Sequence, residues 1–258
     1  MIGFHIRQSC QKIRWRGYVE GVGNHGSGLL AEEGEEIETK PYIPEEHQYV
    51  YLIDIAMCIG CGACVRACDK ENKVPKDYFR TWVERYRVRA SGHVDVDAPE
   101  GSKNGFKRTP EDEAKDKADP VIKGFFVPKI CNHCRNTPCT QVCPVGASYT
   151  TPDAVVLVDE KRCIGCGYCV QACPYSTRFI HPESHTASKC SLCYHRITKG
   201  LLPACVQACP RAARLFGDVK KVGDKVFEMM RTRPVMVLKP ELLTEPKCYY
   251  IGLSKEVT

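Results

Sequence analysis

The run CIGCGYCVQACP at residues 163–174 places four cysteines in twelve positions and ends in proline. Nearly the same run, CIGCGACVRAC, occupies residues 58–68. The chain has 18 cysteines in 258 residues, too many for thiols that only fill gaps in a hydrophobic core. The fold must therefore be built around a site that uses closely spaced thiols.

Three kinds of site compete for these thiols: disulfides, structural zinc and iron-sulfur clusters. Disulfide frameworks are typical of short secreted chains and do not need C-x2-C-x2-C runs, whose neighbouring thiols are difficult to bridge. Zinc ribbons pair two C-x2-C units and stop at four ligands. The run C-x2-C-x2-C-x3-C followed by proline is instead typical of 4Fe-4S clusters, in which the fourth thiolate reaches a neighbouring cluster. The spacing therefore favours iron-sulfur clusters.

Sixteen of the cysteines form four groups, enough thiols for four 4Fe-4S clusters. Proline follows the last cysteine of groups two, three and four, whereas Asp69 stands at that position in group one. The groups are group one (Cys58, Cys61, Cys64, Cys68), group two (Cys131, Cys134, Cys139, Cys143), group three (Cys163, Cys166, Cys169, Cys173) and group four (Cys190, Cys193, Cys205, Cys209).

The chain also repeats itself. Groups one and three share CIGCG, while groups two and four both begin with C-x2-C and close as CTQVCP or CVQACP. This pattern predicts a duplicated two-cluster module, with glycines that let backbone N–H groups approach the cluster. The first half carries an insertion, because 62 residues separate Cys68 from Cys131 and only 16 separate Cys173 from Cys190.

Short β-rich runs lead into the cysteine loops, among them YVYLIDIAMC, FFVPKIC and AVVLVDEKRC, and RPVMVL follows the last group. Within the insertion, the alternation in TWVERYRVR predicts a strand whose basic outer face is solvated or contacts a partner. The mixed-charge stretch APEGSKNGFKRTPEDEAKDKADP then predicts an exposed loop. Short strands that lead into cysteine loops fit small ferredoxin-type lobes.

The order of the four groups resembles the four-cluster electron-transfer subunit of DMSO reductase family molybdopterin oxidoreductases, over residues 50 to about 220. The resemblance is carried by CIGCGACVRACDKENKVP, CNHCRNTPCTQVCP, CIGCGYCVQACPY and KCSLCYHRITKGLLPACVQACPRAARLFGD. It implies an α+β fold with two ferredoxin-like lobes, each with two 4Fe-4S clusters, plus long loops and extended termini. The implied segments are an N-terminal extension (1–49), a first lobe (50–75 and 186–238), an insertion (76–124), a second lobe (125–185) and a C-terminal tail (239–258).

In that family, groups one and four share one lobe and groups two and three share the other, which implies four ligand sets. All sixteen positions are filled by cysteine here, so the implied cofactors are four 4Fe-4S clusters. The implied sets are set A (Cys58, Cys61, Cys64, Cys209), set B (Cys190, Cys193, Cys205, Cys68), set C (Cys131, Cys134, Cys139, Cys173) and set D (Cys163, Cys166, Cys169, Cys143).

The resemblance implies a non-catalytic subunit that relays single electrons between a molybdopterin-type subunit, with molybdenum or tungsten, and a quinone-linked integral membrane subunit or a c-type cytochrome. A hydrogenase-linked electron-transfer subunit and a stand-alone polyferredoxin stay open as alternatives. An independent iron-sulfur enzyme would need a missing ligand or another cofactor motif, and the sequence has neither.

The implied location is peripheral on a membrane complex, with the extracytoplasmic side favoured. No apolar run reaches the roughly 18 residues of a membrane span. No Sec or twin-arginine signal is readable at the N-terminus, so export would depend on a signal-bearing partner or on a signal already removed.

The charge balance argues against a nucleic-acid partner. The formal net charge is +6 with neutral cysteines, whereas four thiolate-bound clusters of about −2 each bring about −8. We therefore expect the loaded protein to be near neutral or slightly acidic. Basic residues beside the ligands either raise the cluster potentials or are ordinary surface charges: Arg66, Arg135, Arg162, Arg178, Lys189 and Arg211.

Other features give weaker predictions. Gly21, Gly23 and Gly26 spell G-x-G-x-x-G without a βαβ unit around them, which indicates a loop. Cys10 and Cys248 lie outside the four groups and are expected to stay unpaired. Both termini are expected to order against partner subunits. Four histidines near groups two and four are expected to donate hydrogen bonds or face solvent: His133, His181, His185 and His195.

Overall fold

The computed structural model describes residues 41–257. Cys10, the glycine motif and most of the N-terminal extension lie outside these residues, so the predictions made for them stay predictions. The α-helices of the described part are α1 (Ala63–Asn72), α2 (Pro110–Ala118), α3 (Pro138–Gln141), α4 (Tyr168–Gln171), α5 (Tyr194–Ile197), α6 (Ala204–Gln207) and α7 (Lys225–Thr232).

A four-stranded sheet is formed by β1 (Tyr49–Asp54), β9 (Arg214–Asp218), β10 (Val235–Met236) and β11 (Cys248–Ile251) in the order β10-β11-β1-β9. Strand β1 pairs antiparallel with β9 and parallel with β11, and all six of its residues are buried. A strand covered on both faces reads as a continuous apolar run, as YVYLI does here.

A three-stranded antiparallel sheet is formed by β2 (Thr81–Arg89), β3 (Val94–Asp97) and β4 (Val121–Ile130) in the order β3-β2-β4. The strand predicted for TWVERYRVR is therefore confirmed. The predicted insertion is mostly regular structure, because this sheet and α2 occupy most of residues 76–124.

The prediction of a solvated basic face on β2 is wrong. Arg85, Arg87 and Arg89 have side chains that are 16%, 14% and 4% exposed. Helix α2 lies in the mixed-charge stretch that was expected to be a loop, and its Asp112 pairs with Arg87 at 2.6 Å and Arg85 at 3.6 Å. Two of the acidic residues in this stretch, Asp112 and Asp116, are ion-pair partners of the strand's arginines.

Two short antiparallel hairpins follow: β5 (Ser148–Thr150) with β6 (Val156–Val158), and β7 (Arg178–Ile180) with β8 (Ala187–Lys189). Each short helix α3 to α6 is a single turn inside a cysteine group or between its cysteines. The result is a chain of short elements that bring cysteine loops together, since none is long enough to build a core of its own.

The C-terminal residues were expected to order against a partner subunit, and this expectation is wrong for residues 239–257, which pack on the chain itself. Strand β11 sits between β10 and β1, and Tyr250 is 0% exposed. The Tyr250 hydroxyl donates to the carbonyl of Pro128 at 2.9 Å, which joins the first sheet to β4. Cys248 is a free thiol that is 1% exposed in the same core.

One large core contains residues from both predicted lobes, among them Ile53, Val65, Ile130 and Val155. A smaller apolar cluster consists of Cys139, Val156, Cys169 and Ala187, with partly buried hydrophobic residues packed against it. Within residues 41–257, no helix combines the length and the apolar character needed to cross a membrane.

Candidate metal centres

The third cysteine of every group lies in a helical turn. Cys64 is in α1, Cys139 in α3, Cys169 in α4 and Cys205 in α6. Helices α1 and α4 begin after glycines in the left-handed conformation, whereas α3 begins with a proline and α6 directly follows one. These starts are local consequences of the sequence, because glycine permits positive φ and proline is favoured in the first turn of a helix.

The four thiols of set B line one pocket, together with Tyr51, Asn72 and Thr81. They come from distant parts of the chain, since Cys68 ends group one while the other three belong to group four. All four cysteines are buried. Burial raises the pKa of Cys68, and the neighbouring Cys205 and Cys193 raise it further.

The four thiols of set D line a second pocket, which also includes Ser148, Gly165 and Ala187. Cys143 comes from group two and the other three come from group three. Burial acts to raise the pKa of Cys143, but N–H groups of the loop that follows it, beginning with Ser148, lower it more. This loop therefore favours a thiolate at Cys143.

The thiols within set A, and likewise those within set C, are electrostatic neighbours of one another. Burial raises the pKa of Cys58 to about 11, and the thiols of Cys64 and Cys209 add to this rise. Burial raises the pKa of Cys134 to about 12, and Cys131, Cys139 and Cys173 act in the same direction. Like charges this close oppose ionisation unless a cation or a metal compensates them.

Hydrogen-bond donors point at sulfur in these centres. The backbone N–H groups of Ala213, Ala187, Leu192 and Ser148 donate to Cys209, Cys163, Cys190 and Cys143 at 3.2, 3.3, 3.3 and 3.4 Å. Donors of this kind stabilise thiolate ligands and tune the metal they hold.

Buried basic side chains lie among the thiols, including Arg178, Lys189, Arg214 and Lys247. Arg178 donates to the Cys139 sulfur at 2.8 Å. Lys189 donates to the carbonyls of Val156 and Cys190. Burial acts to raise the pKa of Cys131, but the charges of Lys189 and Arg178 lower it. Arg214 is 1% exposed and opposes the burial-driven rise in the pKa of Cys64.

The structure shows which of the six basic residues beside the ligands are buried and which are exposed, a distinction that the sequence could not make. Arg178 and Lys189 are buried, so an ordinary surface charge is the wrong interpretation for both. The others are exposed: Arg66, Arg135, Arg162 and Arg211.

Within residues 41–257, the histidines lie outside the thiol sets. His133 is 3% exposed and its Nδ1 accepts the N–H of Val156 at 3.0 Å, so the expected donor role is reversed at that atom. His195 pairs with Glu71 at 2.7 Å. Nδ1 of His181 accepts backbone N–H groups of the turn that follows it, and the backbone of His185 has a φ of 54°.

Sequence reasoning missed several side chains that face the thiols, among them Thr177, whose hydroxyl lies 3.4 Å from the Cys173 sulfur. The Tyr51 hydroxyl lies 3.1 Å from the Cys205 sulfur, and Asn72 donates to Cys68 at 3.5 Å and to Cys193 at 3.7 Å. Arg214, a buried basic residue after group four, was also missed. It stands five residues after Cys209, as Arg178 stands five residues after Cys173.

The donor set fits 4Fe-4S clusters. In the described part of the chain, no three His, Cys, Asp or Glu side chains converge as a single ion would require. The thiols of sets B and D instead surround pockets, which suits a polynuclear cluster held at its iron corners. Buried thiols, N–H donors and cations near sulfur match the chemistry of that cofactor.

Comparison with known proteins gives the same result. Two family models, both described as a 4Fe-4S dicluster domain, match residues 57–147 and 122–219. A tetrathionate reductase subunit of Salmonella typhimurium is 41% identical over 83% of this chain and 78% of its own length. The corresponding tetrathionate reductase subunit of Archaeoglobus fulgidus is 44% identical over 80% of this chain and 83% of its own length.

A polysulfide reductase chain of Wolinella succinogenes is 33% identical over 79% of this chain and 94% of its own length. Two dicluster domains account for four 4Fe-4S clusters, the number that the sixteen grouped cysteines predict. The chain thus belongs to the family of four-cluster iron-sulfur electron-transfer subunits of molybdopterin oxidoreductases.

Proposed function

We propose that sets A to D are the ligand sets of the four clusters and that single electrons cross the chain through them. The observation that carries this proposal is the meeting of thiols that are distant in sequence. Cys68 shares a pocket with three cysteines of group four, and Cys143 shares one with three cysteines of group three. One-electron transfer with little rearrangement is the chemistry that the bound clusters supply.

The route that the contacts favour runs from set A through B and C to D. Cys64 of set A and Cys205 of set B are electrostatic neighbours, and so are Cys190 of set B and Cys131 of set C. Arg178 links the last two sets, since it donates to Cys139 and also faces Cys169. This order places sets A and D at the two ends of the route.

Two ferredoxin-like lobes follow from the same assignment. Sets A and B would define the first lobe, residues 50–75 and 186–238, and sets C and D the second, residues 125–185. Strand β11 adds part of the predicted tail to the first lobe's sheet. The shared core between the lobes supports a rigid spacing of the four centres.

The partners we propose are a molybdopterin-type subunit and a quinone-linked integral membrane subunit, with a c-type cytochrome as the alternative to the latter. The relatives support this, because each is named as one component of a reductase. We place the chain peripherally on such a complex, on its extracytoplasmic side. Its own reductant and oxidant would be these partners rather than a small substrate.

The test is metal analysis with mass spectrometry on the complex purified anaerobically from its native membranes. We expect about sixteen irons per chain, together with a molybdopterin-type subunit and a membrane protein. Zinc in place of iron, or four irons or fewer, would contradict the four-cluster assignment. Copurification with a nickel protein would favour a hydrogenase-linked subunit, and full iron without partners would favour a free polyferredoxin.

The ligand sets are tested by cysteine variants in the same complex. Cys58→Ser and Cys209→Ser are expected to alter the same electron paramagnetic resonance signal, because both belong to set A. Cys248→Ser is the control, since Cys248 is a free buried thiol that lies outside the sets. Different signals altered by the two set A variants would show that the assignment is wrong.

A further inference from the structure

Two buried arginines stand at the same distance from the last cysteine of their groups. Group three closes as CPYSTR and group four as CPRAAR, so Arg178 and Arg214 each stand five residues after the last cysteine of a group. Each is also the first residue of a strand, β7 or β9. Their exposed fractions are 5% and 1%.

Arg178 lies between sets C and D. One of its terminal nitrogens donates to the Cys139 sulfur of set C at 2.8 Å and to the Ser148 hydroxyl at 2.8 Å. Ser148 lines the pocket of set D, and its N–H donates to Cys143 of that set at 3.4 Å. The Nε and the other terminal nitrogen of Arg178 are buried and make no hydrogen bond within residues 41–257.

Arg214 lies between sets A and B in the same way. One of its terminal nitrogens donates to the Thr81 hydroxyl at 2.8 Å, and Thr81 lines the pocket of set B. The preceding residue, Ala213, donates its N–H to Cys209 of set A at 3.2 Å. Here too, the Nε and the second terminal nitrogen are buried without a hydrogen bond in the described part of the chain.

The titratable groups that face the two guanidinium groups are thiols and, for Arg214, the Tyr51 hydroxyl. Burial raises the pKa of Tyr51, so the thiols are the groups that can become anionic. The charge of Arg178 acts on Cys139, Cys131 and Cys169, and that of Arg214 acts on Cys64 and Cys205. Arginine stays protonated in proteins, and a buried cation without a counterion is costly. The ligand sets are therefore the counterions for which these charges are buried.

We propose that Arg178 and Arg214 are positioning cations, one between the two clusters of each pair, that raise the reduction potentials of both clusters in that pair. The inference rests on the proposed ligand sets. Each one-electron reduction takes a thiolate-bound cluster from about −2 to about −3, with no bond broken and no proton moved. A fixed positive charge in the low-dielectric interior favours the more negative state.

Exposed arginines near the ligands do not share this role. Water and salt screen a charge at the surface, whereas a buried charge is screened much less. Arg162 is directly next to Cys163 in sequence, but its side chain is 70% exposed and pairs with Asp159. It therefore provides a matched control, with the same charge beside the same ligand set in a different environment.

The experiment is a redox titration of the complex, followed by electron paramagnetic resonance, for Arg178→Gln, Arg214→Gln and Arg162→Gln. In each buried-site variant we expect two of the four clusters to become harder to reduce by about tenfold, which is about 59 mV for one electron. The affected pair should differ between the two variants, and Arg162→Gln should leave all four potentials unchanged. Arg178→Lys and Arg214→Lys should keep most of the wild-type potentials, because they keep the charge.

Iron content separates this inference from the proposed function. A wild-type chain without about sixteen irons contradicts the ligand sets themselves. Where a Gln variant does not load fully, Arg178→Met or Arg214→Met is titrated instead, because methionine leaves no unpaired polar atom in the site. Fully loaded variants with unchanged potentials would overturn the inference. Lys variants shifted as far as the neutral ones would also overturn it, since they would indicate packing rather than charge.

Discussion

At the scale of single residues, two glycines show how one repeat position can carry different constraints. Gly62 and Gly167 are equivalent in the CIGCG repeats, and both have positive φ, 70° and 78°. A Cβ on Gly62 would overlap the carbonyl oxygens of Ser102 and Lys103, whereas a Cβ on Gly167 would have no atom within 4 Å. Gly62 therefore serves both the turn and the close approach of a second segment.

The two positions give a matched pair of variants. Gly167→Ala is expected to cost about 1–2 kcal/mol of stability from left-handed strain alone. Gly62→Ala should cost about 1–3 kcal/mol more, because the backbone of residues 102–103 must move away. The measurement is loss of cluster absorbance against denaturant concentration. Loss at the same concentration in both variants would contradict the role assigned to the close approach.

At the scale of elements, ion pairs between β2 and α2 hold the insertion segment that contains α2 against the rest of the fold. Asp112 accepts from Arg87 and also completes a capping box with Thr109 at the start of α2. Burial acts to raise the pKa of Asp112, but Arg87 and the Thr109 N–H lower it from 3.8 to about 2. Its folded-state pKa is depressed, so this stabilisation is present above pH about 4 and is lost as pH falls towards 2.

Asp112→Asn is expected to destabilise this unit by about 1–3 kcal/mol, because it leaves the largely buried Arg87 without its carboxylate. Hydrogen exchange of the α2 and β2 amides at neutral pH measures the loss. Glu113→Gln is the control, since it removes an exposed charge from the same helical turn. Equal exchange in the two variants would mean that the helix dipole, and not the ion pair, holds α2 in place.

The ligand groups could be predicted from sequence because cluster chemistry fixes their spacing within a few residues. Arg214 could not, since the neighbouring Arg211 is closer to Cys209 in sequence. Arg214 is buried because it begins strand β9, whereas Arg211 lies in the exposed turn before that strand. Strand β11 was missed for a related reason. Strand β11 has only four residues, and it pairs parallel with β1, which lies almost 200 residues earlier in the chain. Such a short strand with a distant partner has no turn or alternation nearby that would identify it in the sequence.

At the scale of the whole molecule, four bound clusters change the sign of the protein's net charge. The formal charge of +6 combines with about −8 from four loaded sets to give about −2. Isoelectric focusing of the loaded chain should therefore give a value below neutrality, against about 8.5 for the sequence. The chain denatured and alkylated with a neutral reagent is the control. A basic value at full iron content would contradict four thiolate-bound clusters.

Among the described cysteines, Cys166 of set D is the single exposed one. The other three sets have no thiol that solvent reaches to that extent. Dioxygen or a chelator would therefore meet the chain first at set D, and damage in air should begin there and leave the interior centres until later. The same opening that gives a redox partner short-range access is thus where the isolated subunit is expected to begin to decay.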